Sequence, residues 1–326
     1  MSTTKPARHR LLAVSHTGRA SGAEVVLVRT LAHAAGRGWD VACASGPGPL
    51  VDRLGEAGVR HVPIPELTLP AGSRPLAGTV LAGRTMAAAL LLRSACAQAD
   101  VVVSNGLLAL PALRLARPRA PVAWVVHDVI RRPDRLRVLR LACPVVDLAL
   151  PVSEAAAEPL TARGVPVRVV RNGTPWPVDP APPEGPEPPV VGCSALLTSW
   201  KGQDVLLEAV AVLDRTDVVV ELMGGRFPKD AAFVAALEER AARPDLDGRV
   251  RFLGHVADPL ARMRTWSLAV SPSLDPEAGP LALIEAMSLG LPVVGTRLGG
   301  TTEVIGDAGL LVPPGDPAAL AQAIGE

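Results

Sequence analysis

A few side chains have types and spacings that could do chemistry. Glu277 precedes, and Glu285 lies within, a segment that reads as a helix, with Pro280 suited to its first position and Gly290 just past its end. Glu277 falls in the loop ahead of the start, and Glu285 about a turn and a half inside. Both carboxylates can therefore border one crevice, where the free N–H groups of a helix start bind an anion or a hydroxyl. Taken alone, the pair is better explained as a first-turn acid favoured by the helix dipole and a solvated helix acid. Lys201 is more pointed. Lysine occurs only at Lys5, Lys201 and Lys229, every other basic side chain of this class being arginine. Lys201 closes a strand-to-helix loop, where an ammonium stabilises charge gathering on a leaving phosphate without a metal. His127 ends the strand-like run Trp124-Val-Val-His127, a place that serves a structural hydrogen bond or a ligand contact about equally. Ser15 to Glu24 (SHTGRASGAE) forms a glycine turn containing Gly22 that leads into a helix; it lacks the G-x-G-x-x-G spacing of a dinucleotide site, which disfavours a dehydrogenase.

These residues need strands and helices to hold them. Short valine- and leucine-rich runs appear at Leu11–Ser15, Val41–Ala44, Val101–Ser104, Val122–Val126, Leu148–Val152 and Val167–Val170. Helical segments such as Ala23–Ala35 and Leu107–Ala116 lie between them. Continuous apolar strands alternating with helices predict a parallel sheet covered on both faces. The proline-rich stretch Thr174–Pro189 reads as a linker. After it the alternation restarts, with runs at Val190–Cys193, Val218–Leu222, Val250–Leu253, Leu268–Ser271, Pro292–Gly295 and Leu310–Val312. The expected architecture is α/β: two Rossmann-like doubly wound domains, residues 1–173 and 190–326, with a ligand between them.

Composition narrows the function classes. The net charge of +1 shows no basic surplus of the kind nucleic-acid binders carry. Hydrophobic residues at 48% support a core in each domain. Cys43, Cys96, Cys143 and Cys193 are scattered without C-x-x-C spacing, which argues against a zinc site or a disulfide framework. The N-terminal apolar run, Leu11 to Val14, is too short for a signal-peptide core, and no stretch is expected to approach the roughly 20 apolar residues needed to span a membrane. A cytoplasmic location is the expectation.

Asp275 to Thr296 resembles the signature of family 4 retaining glycosyltransferases. It carries two glutamates separated by seven residues, then Ala-Met, Gly and Pro-Val-Val, followed by the turn Gly299-Gly300-Thr301-Thr302-Glu303 and a Pro-Gly-Asp turn ending at Asp316. Ala278-Gly279-Pro280-Leu281 stands where the commonest form has Phe-Gly. The segment Trp200-Lys201-Gly202 is similar to the family's diphosphate-binding motif, and Ser21-Gly22-Ala23-Glu24 to its Gly-Gly-x-Glu loop. The resemblance implies a GT-B fold and metal-independent transfer of a sugar, with retention, from a nucleotide diphosphate to a hydroxyl. It further implies Lys201 on the diphosphate, Glu277 on the sugar hydroxyls, Glu285 on the ribose and His127 on the donor sugar, with Gly22, Gly279 and Leu281 among the donor-binding positions. It also leads one to expect further helices beyond Glu326. One departure matters: the family commonly has an arginine five residues before the lysine, where this chain has Leu196, so either Arg171 or Arg226 completes the cradle or diphosphate stabilisation is weakened.

Arg131, Arg132, Arg135, Arg137 and Arg140 interleave with Leu136, Val138, Leu139 and Leu141. A solvated helix face is the favoured reading; the sharper one is a basic amphipathic helix touching anionic lipid at the inner membrane face or a phosphorylated, lipid-linked acceptor. Two rival functions stay open at this level, a non-catalytic GT-B-like binding partner and a nucleotide-sugar epimerase.

Overall fold

A computed structural model describes residues 9–68, 77–175, 187–213 and 215–326. The chain divides into two units, Met1–Arg171 and Asn172–Glu326. Most of the stretch read as a linker, residues 176–186, lies outside the described residues.

The first unit runs β1 (Arg10–Ser15), α1 (Gly22–Gly36), β2 (Asp40–Ser45), α2 (Pro49–Glu56), β3 (Arg60–Pro63), α3 (Ala77–Gln98), β4 (Val101–Asn105), α4 (Leu110–Ala116), β5 (Val122–Val126), α5 (Pro133–Ala142), β6 (Leu148–Pro151) and α6 (Glu154–Thr161). All strand pairs are parallel, in the order β3-β2-β1-β4-β5-β6. The strands bury side chains on both faces. Leu12, Val14 and Val102 meet α3, α4 and α5, while Leu11, Ala13 and Val41 meet α1 and α2. That double burial is why the strands read as unbroken apolar runs.

The second unit runs β7 (Val190–Ser194), α7 (Gln203–Val212), β8 (Val219–Met223), α8 (Ala231–Ala241), β9 (Val250–Gly254), α9 (Pro259–Met263), β10 (Leu268–Ser271), α10 (Leu281–Ser288), β11 (Val293–Thr296), α11 (Gly300–Ile305), β12 (Leu310–Val312) and α12 (Pro317–Gly325). Its sheet is also wholly parallel, ordered β12-β11-β10-β7-β8-β9. In each unit the strand order reverses beside the first strand, between β1 and β4 and between β7 and β10. Loops leaving opposite faces part there and open a crevice at the carboxyl ends of the strands.

The structure corrects four expectations. Val167–Val170 is not a strand: it lies along the edge of β6 with one bridge, Ala149 to Val167, and Pro166 beside it has no N–H to extend the ladder. Arg60–Pro63 is a strand, missed because Arg-His-Val-Pro is short and polar for an edge position. Pro280 is the N-cap of α10 rather than its first residue. The fourth correction concerns α3, where residues Gly78–Gln98 are long and apolar enough to cross a membrane by length and composition. Alanine, glycine and threonine dilute this stretch and two arginines interrupt it, so it does not read as one run. Ala88, Ala89, Leu92 and Cys96 pack it against the first sheet, while Val80, Met86, Leu90 and Leu91 face outward.

Candidate functional site

In the second unit the site forms where β7 and β10 diverge. Lys201 closes a 3-10 turn, Ser199–Lys201, just ahead of α7. Gly202 follows at φ 67°, and a Cβ there would sit 2.0 Å from the Pro272 carbonyl oxygen. Only glycine permits both that backbone and that approach. The Leu274 N–H donates to the Trp200 carbonyl at 2.8 Å, tying the loop after β10 to the lysine turn. Lys201 Nζ reaches Glu277 Oε2 at 2.5 Å, with the two side chains only 14% and 10% exposed, and lies 4.3 Å from the centre of the Trp200 ring. The other oxygen of Glu277 accepts from Ser271 Oγ at 3.2 Å and from Ser273 Oγ.

The backbone around Glu277 is held just as closely. Its carbonyl accepts the Gly300 N–H at 2.7 Å, and Gly299, at φ 52°, lies so near that a Cβ would come within 2.5 Å of that same oxygen. The Gly299-Gly300 turn is thus a clamp on the Glu277 loop. Asn172 donates from Nδ2 to the Gly279 carbonyl at 2.9 Å across 107 residues of chain. Leu281 begins α10, and Glu285 lies buried on that helix at 9% exposure. A recess beside the ion pair is lined by Cys193, Ser194, Lys201, Ser271, Ser273 and Leu283. Burial pushes the Cys193 thiol up to about 12, so it stays protonated and is no nucleophile.

The Leu196 carbonyl accepts from Gln203 Nε2 at 2.9 Å. Of the two arginines considered for the missing cradle position, Arg226 forms a parallel bridge with the neighbouring Leu197, but its guanidinium pairs with Glu238 at 2.6 Å. Arg171 is the last residue of the first unit.

In the first unit, polar groups gather where β1 and β4 diverge. His127 follows β5, and its Nε2 lies 2.9 Å from Asn105 Oδ1 at the end of β4. Burial, reinforced by His16 and only partly countered by Asp128, lowers the His127 pKa to about 4, so the ring is neutral at physiological pH. Glu24, which ends the glycine-turn motif quoted from sequence, shares this cluster with His16 and Asn105, neither of which was singled out from sequence. A signal existed in Ser21-x-x-Glu24, the pattern of a capping box ahead of a helix. Gly22 is the exposed first residue of α1. Arg131 and Arg132 precede α5 and Arg135 lies within it; Arg132 pairs with Asp134 at 3.1 Å. Among the described residues no group of three or more His, Cys, Asp and Glu side chains is placed to hold a metal ion.

Two doubly wound units with polar side chains at their switch points define a GT-B protein. Residues 20–175 match the family model described as Glycosyltransferase Family 4, and residues 188–326 match that described as Glycosyl transferases group 1. The chain belongs to the family 4 glycosyltransferases. It is 36% identical over 129 residues to the phosphatidyl-myo-inositol mannosyltransferase of Mycobacterium leprae, a stretch covering 38% of this chain and 33% of that protein. With the D-inositol 3-phosphate glycosyltransferase of Corynebacterium urealyticum the identity is 33% over 145 residues, covering 42% of this chain and 34% of the relative. The matched stretch thus spans about a third of the length of these curated relatives. Anabaena HepE, solved in complex with UDP and glucose, shares the fold at a TM-score of 0.80 and 24% identity, covering 97% of this chain and 89% of that one.

Proposed function

We propose that the chain transfers a sugar from a nucleotide diphosphate to a hydroxyl acceptor with retention at the anomeric carbon. The observation that carries this reading is the buried Lys201–Glu277 pair, held by two serines at the switch point of the second sheet. The bond from the anomeric carbon to the diphosphate oxygen breaks as the bond to the acceptor oxygen forms on the same face. The acceptor's proton passes to the leaving phosphate. Lys201 stabilises the charge that phosphate gains, without a metal. Glu277, Gly279 and Leu281 hold the sugar, Glu285 the ribose, and His127, a neutral imidazole, accepts from a sugar hydroxyl. Support for a nucleotide-sugar donor comes from HepE, whose crystals hold UDP and UDP-glucose.

A thermal-shift panel of UDP-, GDP- and ADP-sugars tests this. One class is expected to raise the melting temperature, Lys201→Ala to abolish the rise, and turnover of that donor to survive excess EDTA. No shift with any donor, or loss of turnover in EDTA, contradicts the reading.

The acceptor side is read as facing anionic lipid at the inner face of the membrane. Between residues 77 and 142 there are ten arginines and three aspartates, although the whole chain is nearly neutral. Arg131, Arg132, Arg137, Arg140 and Leu141 are exposed around α5, and α3 and α5 cover the same face of the first sheet. Arginines beside exposed leucines suit a lipid headgroup region. The protein is expected to sediment with phosphatidylglycerol-containing vesicles but not with pure phosphatidylcholine, and Arg131→Gln, Arg132→Gln and Arg135→Gln together to abolish binding. Equal binding by the triple variant contradicts this contact.

A further inference from the structure

The reading above uses His127 but not the groups behind it. Asn105, 1% exposed, commits both side-chain atoms: Oδ1 meets His127 Nε2 at 2.9 Å, and Nδ2 approaches Glu24 Oε1 at 3.5 Å. A carboxylate only accepts hydrogen bonds. Glu24, itself 1% exposed, also takes the Ser21 N–H at 3.2 Å and the Ser21 hydroxyl. The amide nitrogen of Asn105 therefore faces Glu24, and its carbonyl oxygen faces the histidine. A ring nitrogen that faces a carbonyl oxygen must carry the proton, and in a neutral imidazole the other nitrogen is then an acceptor. His16, the residue after β1, braces the arrangement, its Nδ1 lying 3.2 Å from the Asn105 backbone carbonyl. Gly106 makes room for that ring; at φ 104°, a Cβ there would fall 2.8 Å from His16 Nδ1.

We propose that Glu24 and Asn105 are positioning residues that fix His127 as its Nε2–H tautomer, so that Nδ1 is the lone pair offered to a hydroxyl of the transferred sugar. This rests on the reading of His127 as a residue that touches the donor sugar. The arrangement separates two tasks. Neutrality comes from burial, while the choice of nitrogen comes from a carboxylate two residues removed through an amide. Nothing in the His127 ring itself selects one tautomer; the buried carboxylate does, because it cannot donate.

The tautomer is read directly from long-range proton–nitrogen correlation spectra of the 15N-labelled full chain near neutral pH. The wild type is expected to show a pyrrole-type Nε2 and a pyridine-type Nδ1 in His127. Asn105→Leu is expected to lose that pattern and to lower hydrolysis of the panel-selected nucleotide sugar about tenfold, the loss of one oriented hydrogen bond. Its affinity for the free nucleoside diphosphate (UDP, GDP or ADP as the panel selects) should stay within about twofold, since Lys201 is untouched. A pyrrole-type Nδ1 in the wild type overturns the proposal, as does a wild-type pattern or wild-type hydrolysis in Asn105→Leu. Should that variant fail to fold, the wild-type assignment alone decides the tautomer. If no nucleotide sugar binds the wild type, it is the transferase reading that fails, while the spectra still decide the relay.

Discussion

Lys201→Met is expected to lower donor turnover by about 10²- to 10³-fold, the loss seen when one preorganised charge-stabilising donor is removed from a catalytic site. The geometry adds a second consequence. Lys201 and Glu277 are both almost wholly shielded from water, so removing the cation leaves a buried carboxylate whose remaining side-chain partners among the described residues are Ser271 and Ser273. Breaking a buried pair from one side typically destabilises by about 3–5 kcal/mol, whereas removing both charges is far less harmful. Glu277→Gln in the Lys201→Met background should therefore restore much of the lost stability and none of the lost turnover. Denaturant unfolding of the two single variants and the double variant, beside donor turnover of each, separates the two roles. Additive stability losses would show that the pair is not coupled. Turnover of Lys201→Met within tenfold of wild type would show that its charge is not the one the leaving group needs.

The parts of this site legible in sequence are those whose chemistry is local. Lys201 stood out because lysine is scarce and a strand-to-helix loop is where an ammonium is useful, and Gly202 beside it has a steric reason visible only in the fold. Glu277 and Glu285 gained meaning from the run around them. What stayed hidden depends on long-range contact. Asn172 reaches Gly279, and Asn105 joins β4 to β5 and α1, partnerships between residues 22 to 107 apart that no local pattern announces. The same holds for structure. Central strands buried on both faces were readable as apolar runs, whereas the edge strand Arg60–Pro63 was not, because one side of an edge is free to be polar.

Glu221 shows what an apolar reading conceals, and its replacement carries an expected stability loss as large as that of Lys201. It lies in the middle of β8, inside a run taken simply as a hydrophobic strand, with a side chain 1% exposed. Such a charge persists only if it is fully partnered. Arg262 donates from Nε at 2.8 Å and again from Nη2, Trp266 Nε1 donates at 2.9 Å, and Arg251 lies at 3.3 Å. Burial pushes the carboxyl up, but these donors together outweigh it and hold its pKa below the ordinary 4.5. Trp266 in turn is fully buried against Gly192, where a Cβ would come within 2.0 Å of the indole, so the carboxylate fixes a ring that fills the space beside β7. Glu221→Ala removes the acceptor, strands the indole N–H and opens a cavity; a loss of about 3–5 kcal/mol is expected, or roughly 6–20 °C in the melting temperature of the second unit. Glu221→Met should cost less, because it fills the space and because Arg251 and Arg262, partly exposed, regain water. Since the folded-state pKa is depressed, the stabilisation from the ionised carboxyl is present above about pH 4.5 and fades as pH falls through the folded value, so the gap between wild type and Glu221→Met should narrow in acid. A gap that is flat across that range, or a Glu221→Ala loss under about 1 kcal/mol, would show that Trp266 and the arginines are held by packing alone.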